Sequence, residues 1–252
     1  MSLADSIGRV DKGGAWGQFE SEETDRTFLD SEESHVSALV AAIRTYKKGT
    51  HLKFVDLGGA TGRIAEQVLR AVGNEYDISA TVLDIDRRKL KEHPVISFTQ
   101  HDARQPFPDS YDVVCARYLL HYNSYREQQT ICNNIAAALT SHGHAFLIDT
   151  IPPDENERKR WNEVCEAMTR MKGSNEKFWS LEEEIITMMS AAGLSLATRV
   201  PDDLVPYSAQ DFWKARYDLT AEQTRNLDTL LECKPVVGSV PILEFTRTSR
   251  AG

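Results

Sequence analysis

What this chain has little of narrows its chemistry first. Cysteine is scarce: four in 252 residues, Cys115, Cys132, Cys165 and Cys233, with no C-x-x-C pair. That spacing suits neither a zinc site nor a compact disulfide framework. Free thiols fit a reducing compartment, and Cys115, set in an apolar run, reads as a small buried hydrophobe. Long apolar runs are missing too. Nothing approaches the roughly 18 residues of a membrane span, and the opening residues MSLADSIGRVDKGG lack the apolar centre of a secretory signal. The expectation is a cytoplasmic protein with no membrane partner. Positive charge is short as well: 29 Lys and Arg against 38 Asp and Glu leave a formal net charge of −9. Nucleic-acid binding calls for a basic face, so the balance argues against such a partner. No internal repeat or low-complexity block is present.

What is there is a strand, a tight turn and a helix start, FVDLGGATGR, from Phe54 to Arg63. The apolar run Leu52–Val55 meets Asp56. Gly58-Gly59-Ala60-Thr61-Gly62 follows, and then Ile64, Ala65, Val68, Leu69 and Val72 recur on one helical face. Glycine takes φ > 0 without strain and lets a ligand approach the backbone. A turn of this kind before a helix suits nucleotide-like ligands. A P-loop needs Lys and Ser/Thr after its last glycine, which Arg63-Ile64 does not supply, and a G-x-G-x-x-G pattern fails where Ala60 stands. A ligand-free turn is the plain alternative. The next strand, Thr81-Val82-Leu83, ends in Asp84. An acid there can accept from two ribose hydroxyls; capping a helix that starts near Arg87, by Asp84 or Asp86, is the other use. Ile96-Ser97-Phe98 reads as a third strand, followed by His101-Asp102-Ala103 and by QPFPDSYDVV, Gln105 to Val114.

In that order and spacing these segments resemble the class I S-adenosylmethionine-dependent methyltransferases. Asp56 to Gly62 resembles the family's D-x-G-x-G-x-G loop with Ala60 for the middle glycine, and the run from Asp102 to Val114 resembles its third and fourth strands. The likeness spans about residues 50 to 150. It implies a doubly wound, Rossmann-like α/β sheet of seven strands in the order 3-2-1-4-5-7-6, the last antiparallel. It implies S-adenosyl-L-methionine as cofactor, held by Asp56, Gly58, Gly62, Asp84, Asp102, Ala103 and Arg117, with Asp102 toward the adenine amino group. It also implies a small-molecule acceptor, methylated on O or N and conceivably on C, in an aromatic or polyketide-like metabolite. Rival readings are a catalytically silent binder of the same cofactor, other chemistry on the same fold, and a nicotinamide oxidoreductase.

Along the chain, residues 1–30 read as an arm with Trp16, Phe19 and Phe28 as aromatic anchors, and 31–252 as one domain. Ser31 is expected to open a helix. Strands are expected at about 52–56, 79–84, 95–99, 111–116 and 144–149. Pro152-Pro153 then breaks the pattern, and helical insertions follow at about 151–180 and 205–232 on the substrate side. The first carries a stripe of Trp161, Val164, Cys165, Met168 and Met171, which could roof an apolar substrate or simply form core. Ser180 and Glu183 read as a capping box. A last strand is expected from Pro241 to Thr248. The arm and residues 155–180 are expected to close over bound substrate.

Ligands of such sheets lie beyond the carboxyl ends of the strands. After strand 4 the chain reads Ala116-Arg117-Tyr118-Leu119-Leu120-His121-Tyr122. Similar small-molecule methyltransferases carry a histidine at this place, so His121 is the candidate general base, with a plain pocket-wall role as the alternative. Tyr118, Tyr122, Asp149 and Trp161 are the substrate-side candidates. For Arg117, an ion pair with Asp149 or with a substrate carboxylate is the other use. The acid/Asn/Ser-Pro-Pro-aromatic motif of amino-group DNA methyltransferases is missing after strand 4. A catechol-type magnesium site has only Asp149 to offer, so no metal is assigned. Monomer and homodimer both stay open.

Overall fold

The computed structural model describes residues 22–86, 93–172, 177–217 and 219–248. The expectations for Trp16 and Phe19 in the arm, and for a helix starting near Arg87, lie outside the described residues. The described residues begin in helix α1 (Glu22–Ile43), which starts nine positions before Ser31 and so runs through the end of the expected arm. Strand and helix then alternate: β1 (His51–Leu57), α2 (Arg63–Val72), β2 (Asp77–Asp84), β3 (Ile96–Gln100), β4 (Tyr111–Arg117), a 3-10 turn (Leu120–Tyr122), α3 (Tyr125–Ala138) and β5 (Leu139–Ile148). β5 begins five residues earlier than expected, so His142-Gly143-His144 lies within it.

The main sheet has seven strands in the order β3-β2-β1-β4-β5-β9-β6. The first five are parallel, and β9 (Ile242–Arg247) runs antiparallel to β5 and to β6 (Leu194–Val200). This is the expected order. The returning strand is the ninth in sequence because β7 (Val205–Tyr207) and β8 (Val236–Gly238) pair with each other apart from the sheet. No helix among the described residues is long and apolar enough to cross a membrane. Cys115, Cys132 and Cys165 are buried and Cys233 exposed, all as free thiols.

Parallel strands covered on both faces read as continuous apolar runs, yet their side chains still alternate. Phe54, Val113, Cys115, Phe146 and Ile148 pack with α1 and α2, against Leu39, Ile43, Ile64 and Val68. Val55, Leu57, Val114, Ala116 and Leu147 pack on the other side against Ile131 and Ile135 of α3 and Ile185 and Met188 of α5 (Glu182–Ala191). This alternation decides where the residues that follow β4 and β5 point.

A third apolar cluster lies beyond β5. It joins α4 (Glu155–Lys172) to a π turn (Ala209–Trp213), the short α6 (Lys214–Tyr217), α7 (Ala221–Leu230) and β8. Trp161, a substrate-side candidate, belongs here: it is 1% exposed, and its indole N–H donates to the Val237 carbonyl at 2.7 Å. The stripe of Val164, Cys165 and Met168 is buried with it, as are Trp213 and Tyr217. Trp161 is therefore core, because a helix in a two-sided apolar setting spends its stripe on packing. The capping box also moves. α5 is capped by Leu181, whose N–H donates to Glu184 at 2.9 Å, while the Ser180 hydroxyl donates to Gln128 at 2.7 Å. The pair one residue later wins because Ser180 faces inward to buried Gln128.

Candidate functional site

The strand order reverses between β1 and β4, so the crevice opens above their carboxyl ends. The turn after β1 forms its floor. Gly58 N–H donates to the Leu83 carbonyl at 2.7 Å, tying the turn to β2. Gly62 has φ 78°, and a Cβ there would stand 2.8 Å from the Phe98 ring. Gly62 precedes α2 and has no side chain to cap that helix. In its first turn the Ala65 N–H donates to the Asp56 carboxyl. Ala60 holds φ 47°, a left-handed conformation that costs a side-chain-bearing residue about 1–2 kcal/mol. Ala60→Gly should therefore stabilise the protein by about 1 kcal/mol in urea unfolding, after the added freedom of the unfolded chain is set against the relief. Unchanged or lower stability would show that the turn bears no strain at Ala60.

Asp56 lies beneath this turn. It is 2% exposed, its Oδ2 has no hydrogen-bond partner, and a Cβ on Gly59 would come within 2.5 Å of that oxygen. Burial pushes its carboxyl up to about 7; Arg117 opposes this, and Asp84 and Glu32 add to it. The Ala65 N–H donates to this carboxyl and also opposes the rise, but a buried oxygen without a donor, as Oδ2 is, stays costly unless something supplies one. Asp84 closes the second side. Its Oδ2 accepts from Ala60 N–H at 2.9 Å and its Oδ1 from Asp86 N–H at 2.8 Å. Asp102 accepts from the Arg104 side chain at both oxygens, at 2.8 and 2.7 Å, and Arg104 continues to Glu127 at 2.7 Å. Ala103 follows at the mouth, its carbonyl taking the Asn134 amide at 3.0 Å. Asp56, Gly58, Gly62, Asp84, Asp102 and Ala103 thus sit on adjoining strand ends, while Arg104 was not singled out from the sequence.

Arg117 departs from expectation. Its guanidinium pairs with Glu32 of α1 at 3.0 Å and lies over the Tyr118 ring. The reason is the alternation of β4: Arg117 shares the face of Val113 and Cys115, toward α1. Arg63 holds the other oxygen of Glu32 at 2.9 Å. His35, one turn on, is buried, its base pushed down to about 3 by burial and Arg117. Glu32 and His35 were missed, although they occupy the buried stripe of α1 that continues through Leu39 and Ile43. Two polar residues on such a stripe are the signal that could have found them.

Asp149 follows Leu147 onto the opposite face and meets the 3-10 turn after β4. His121 is 5% exposed, and its Nδ1 lies 2.5 Å from Asp149 Oδ1. The carboxylate also accepts His121 N–H at 3.2 Å and Thr150 N–H at 2.8 Å. A carboxylate on Nδ1 fixes the tautomer with the proton there and leaves Nε2 as the basic nitrogen. Tyr122 lies against the imidazole, ring centroids 4.1 Å apart. Tyr118, at φ 51°, turns back toward the α1 side. Leu119 links the two halves of the crevice, since it lies 3.2 Å from where a Gly58 Cβ would stand. His144 instead pairs with Glu244 across β5 and β9 at 2.6 Å, a structural contact remote from the strand ends. Among the described residues no cluster of three or more His, Cys, Asp or Glu has metal-binding geometry.

Residues 54–143 match the family described as "Methyltransferase domain". A 6-hydroxytryprostatin B O-methyltransferase of Aspergillus fumigatus is 28% identical over 134 residues, 51% of this chain and 36% of that protein. The tetracenomycin polyketide synthesis 8-O-methyl transferase TcmO of Streptomyces glaucescens is 25% identical over 197 residues, 73% of this chain and 56% of its own. The chain thus spans between about a third and just over half of the length of these curated relatives. The solved structure of the YcgJ protein of Bacillus subtilis shares the fold at a TM-score of 0.62 and 19% identity, over 86% of this chain and 100% of that one.

Proposed function

We propose that this chain is a class I S-adenosylmethionine-dependent methyltransferase that methylates a hydroxyl of a small aromatic or polyketide-like molecule, with His121 as general base. The cofactor fits what the crevice offers. An acid with one oxygen lacking a donor under the glycine turn suits the cofactor's ammonium, Asp84 suits ribose hydroxyls, and Asp102 with Ala103 suits adenine. When bound, the cofactor supplies an activated methyl on a sulfonium. This chain's residues then have to place the acceptor oxygen in line and remove its proton.

The single observation that carries the hydroxyl reading is the buried His121–Asp149 pair after β4 and β5. His121 Nε2 takes the proton from the acceptor; Asp149 keeps the ring oriented and stabilises the imidazolium. Tyr122 and the ring of Trp179 keep the base dry. O-methyl transfer in the names of both curated relatives supports the choice of oxygen. Methyl-labelled cofactor incubated with panels of phenols, enols and amines is the test. Label in hydroxyl acceptors, lost in His121→Ala, is expected; label in amines alone would overturn the reading. No transfer to any acceptor, together with tight cofactor binding, would favour a silent binder.

Asp84 offers a separate check on the cofactor. Hydrogen bonds to a charged group contribute about 1.5–3 kcal/mol each. Asp84→Ala should therefore raise the cofactor's Kd at least about tenfold by calorimetry. An unchanged Kd would leave Asp84 with only the task of holding Ala60 and Asp86.

A further inference from the structure

Trp179 lies near the end of the segment 155–180 expected to close over substrate, and its ring covers His121. The two rings are stacked, 7° from parallel, with centroids 4.4 Å apart. This placement is fixed from both sides. Phe178 N–H donates to the His121 carbonyl at 3.0 Å. The amide of Gln128, fully buried on α3, donates to the Phe178 carbonyl at 2.7 Å and accepts from the Ser180 hydroxyl at 2.7 Å. Residues 178–180 are thus strapped to α3 and to the histidine's own backbone. The indole N–H of Trp179 points away from the imidazole and donates to Cys165 Sγ at 3.2 Å, so the π face is what the imidazole meets.

We propose that Trp179 is a positioning residue that raises the basicity of His121 by stacking its indole face on the imidazole. A neutral imidazole gains dispersion from the stack. A protonated one gains in addition the attraction of a cation for the negative face of the ring. The stack therefore favours the imidazolium, the state His121 occupies after taking the acceptor's proton. Other groups facing this ring push both ways. Asp149, at the end of β5, favours the charged form. Lys177, whose ammonium lies 4.7 Å from the Tyr122 ring and bonds Tyr217 at 2.7 Å, disfavours it, as does burial. Tyr122 is a titratable neighbour on the histidine's own turn, in ring contact with it. The indole face balances the lysine and the burial without adding a second carboxylate.

The consequence for catalysis rests on the reading of His121 as base; the effect on its pKa does not. The test is an NMR titration of His121 in the whole protein with S-adenosylhomocysteine bound, the resonance assigned by its loss in His121→Gln. Trp179→Leu keeps the site dry but removes the π face. It should lower the His121 pKa by about 0.5–1.5 pH units, and Trp179→Phe should restore at least half of that. The acid limb of kcat against pH should move by the same amount in each variant. If the leucine variant does not fold, Cys165→Val, which releases the indole N–H, should move the pKa in the same direction by less. A pKa unchanged in the leucine variant, or in the valine variant where only that one folds, overturns the inference. A pKa that falls while the rate profile stays in place upholds the role of Trp179 and removes the base assignment instead.

Discussion

His121→Ala should cut kcat by about 10²–10⁴-fold while leaving the cofactor's Kd within about twofold. The separation follows from position. His121 and Asp149 meet on the α3 side of the sheet, whereas Asp56, Asp84 and the glycine turn, proposed to hold the cofactor, lie at the ends of β1 and β2. Loss of the imidazole leaves positioning of acceptor and methyl intact, so a residual rate remains. High pH should recover part of the loss where the acceptor is a phenol that ionises in solution. Asp149→Asn should also be severe, because an amide no longer favours the tautomer with a basic Nε2. The double variant should be little worse than His121→Ala alone, since two residues acting as one unit do not add. Steady-state kinetics on an acceptor found in the label screen will decide. A loss of less than about fivefold at every pH would make His121 a pocket wall. Collapse of cofactor binding together with turnover would make it structural and move the search for a base to Tyr118 and Tyr122.

The residues proposed to hold the cofactor on β1 to β3 were singled out from the sequence because their signals are local. A glycine turn between an apolar run and a helical stripe marks a strand end and a helix start, Asp84 ends β2, and Asp102 lies two residues past β3. The strand order came from resemblance, and the parallel core follows it. Partners that meet across the fold were harder. Arg117 was assigned a choice of Asp149 or a ligand, yet the alternation of β4 sends it toward α1 and sends Asp149 to His121. Reading Arg117 in phase with Cys115, against the polar residues Glu32 and His35 on a buried helical stripe, would have found the pair. Trp161 stayed open between roof and core because helical spacing looks the same in both; its burial and the Val237 carbonyl that takes its N–H go with the core. Trp179 lies within the segment 155–180 expected to close over substrate, but its stack on His121 was not legible, since it depends on a strap anchored by Gln128, 51 positions earlier in the sequence.

Asp56→Asn should strengthen the fold and weaken cofactor binding, with a pH dependence that identifies the cause. Burial holds the Asp56 carboxyl at about 7 against an ordinary 3.8. The folded state therefore binds more protons than the unfolded chain between those limits. Linkage gives the sign: the stability that protonated Asp56 contributes is complete below about pH 4 and is lost as pH rises through about 7. Above that pH the ionised acid costs on the order of 4 kcal/mol relative to its neutral form. Asparagine fills the same space without the charge, so most of that cost should vanish, and the variant's Tm at pH 8 should exceed that of the native protein. His35, held at about 3, stays neutral throughout and does not obscure the comparison. Cofactor binding should run the other way. A ligand ammonium prefers the ionised acid, so native affinity should rise by up to about tenfold per pH unit between pH 5 and 7 and then level off. The asparagine variant should bind more weakly at pH 8 and lose that slope. Calorimetry in buffers of different ionisation enthalpy adds a direct count, since native binding at pH 6 should release close to one proton and the variant none. Equal affinity of the two proteins at pH 8 would show that the ammonium is held elsewhere and that Asp56 serves only the turn above it.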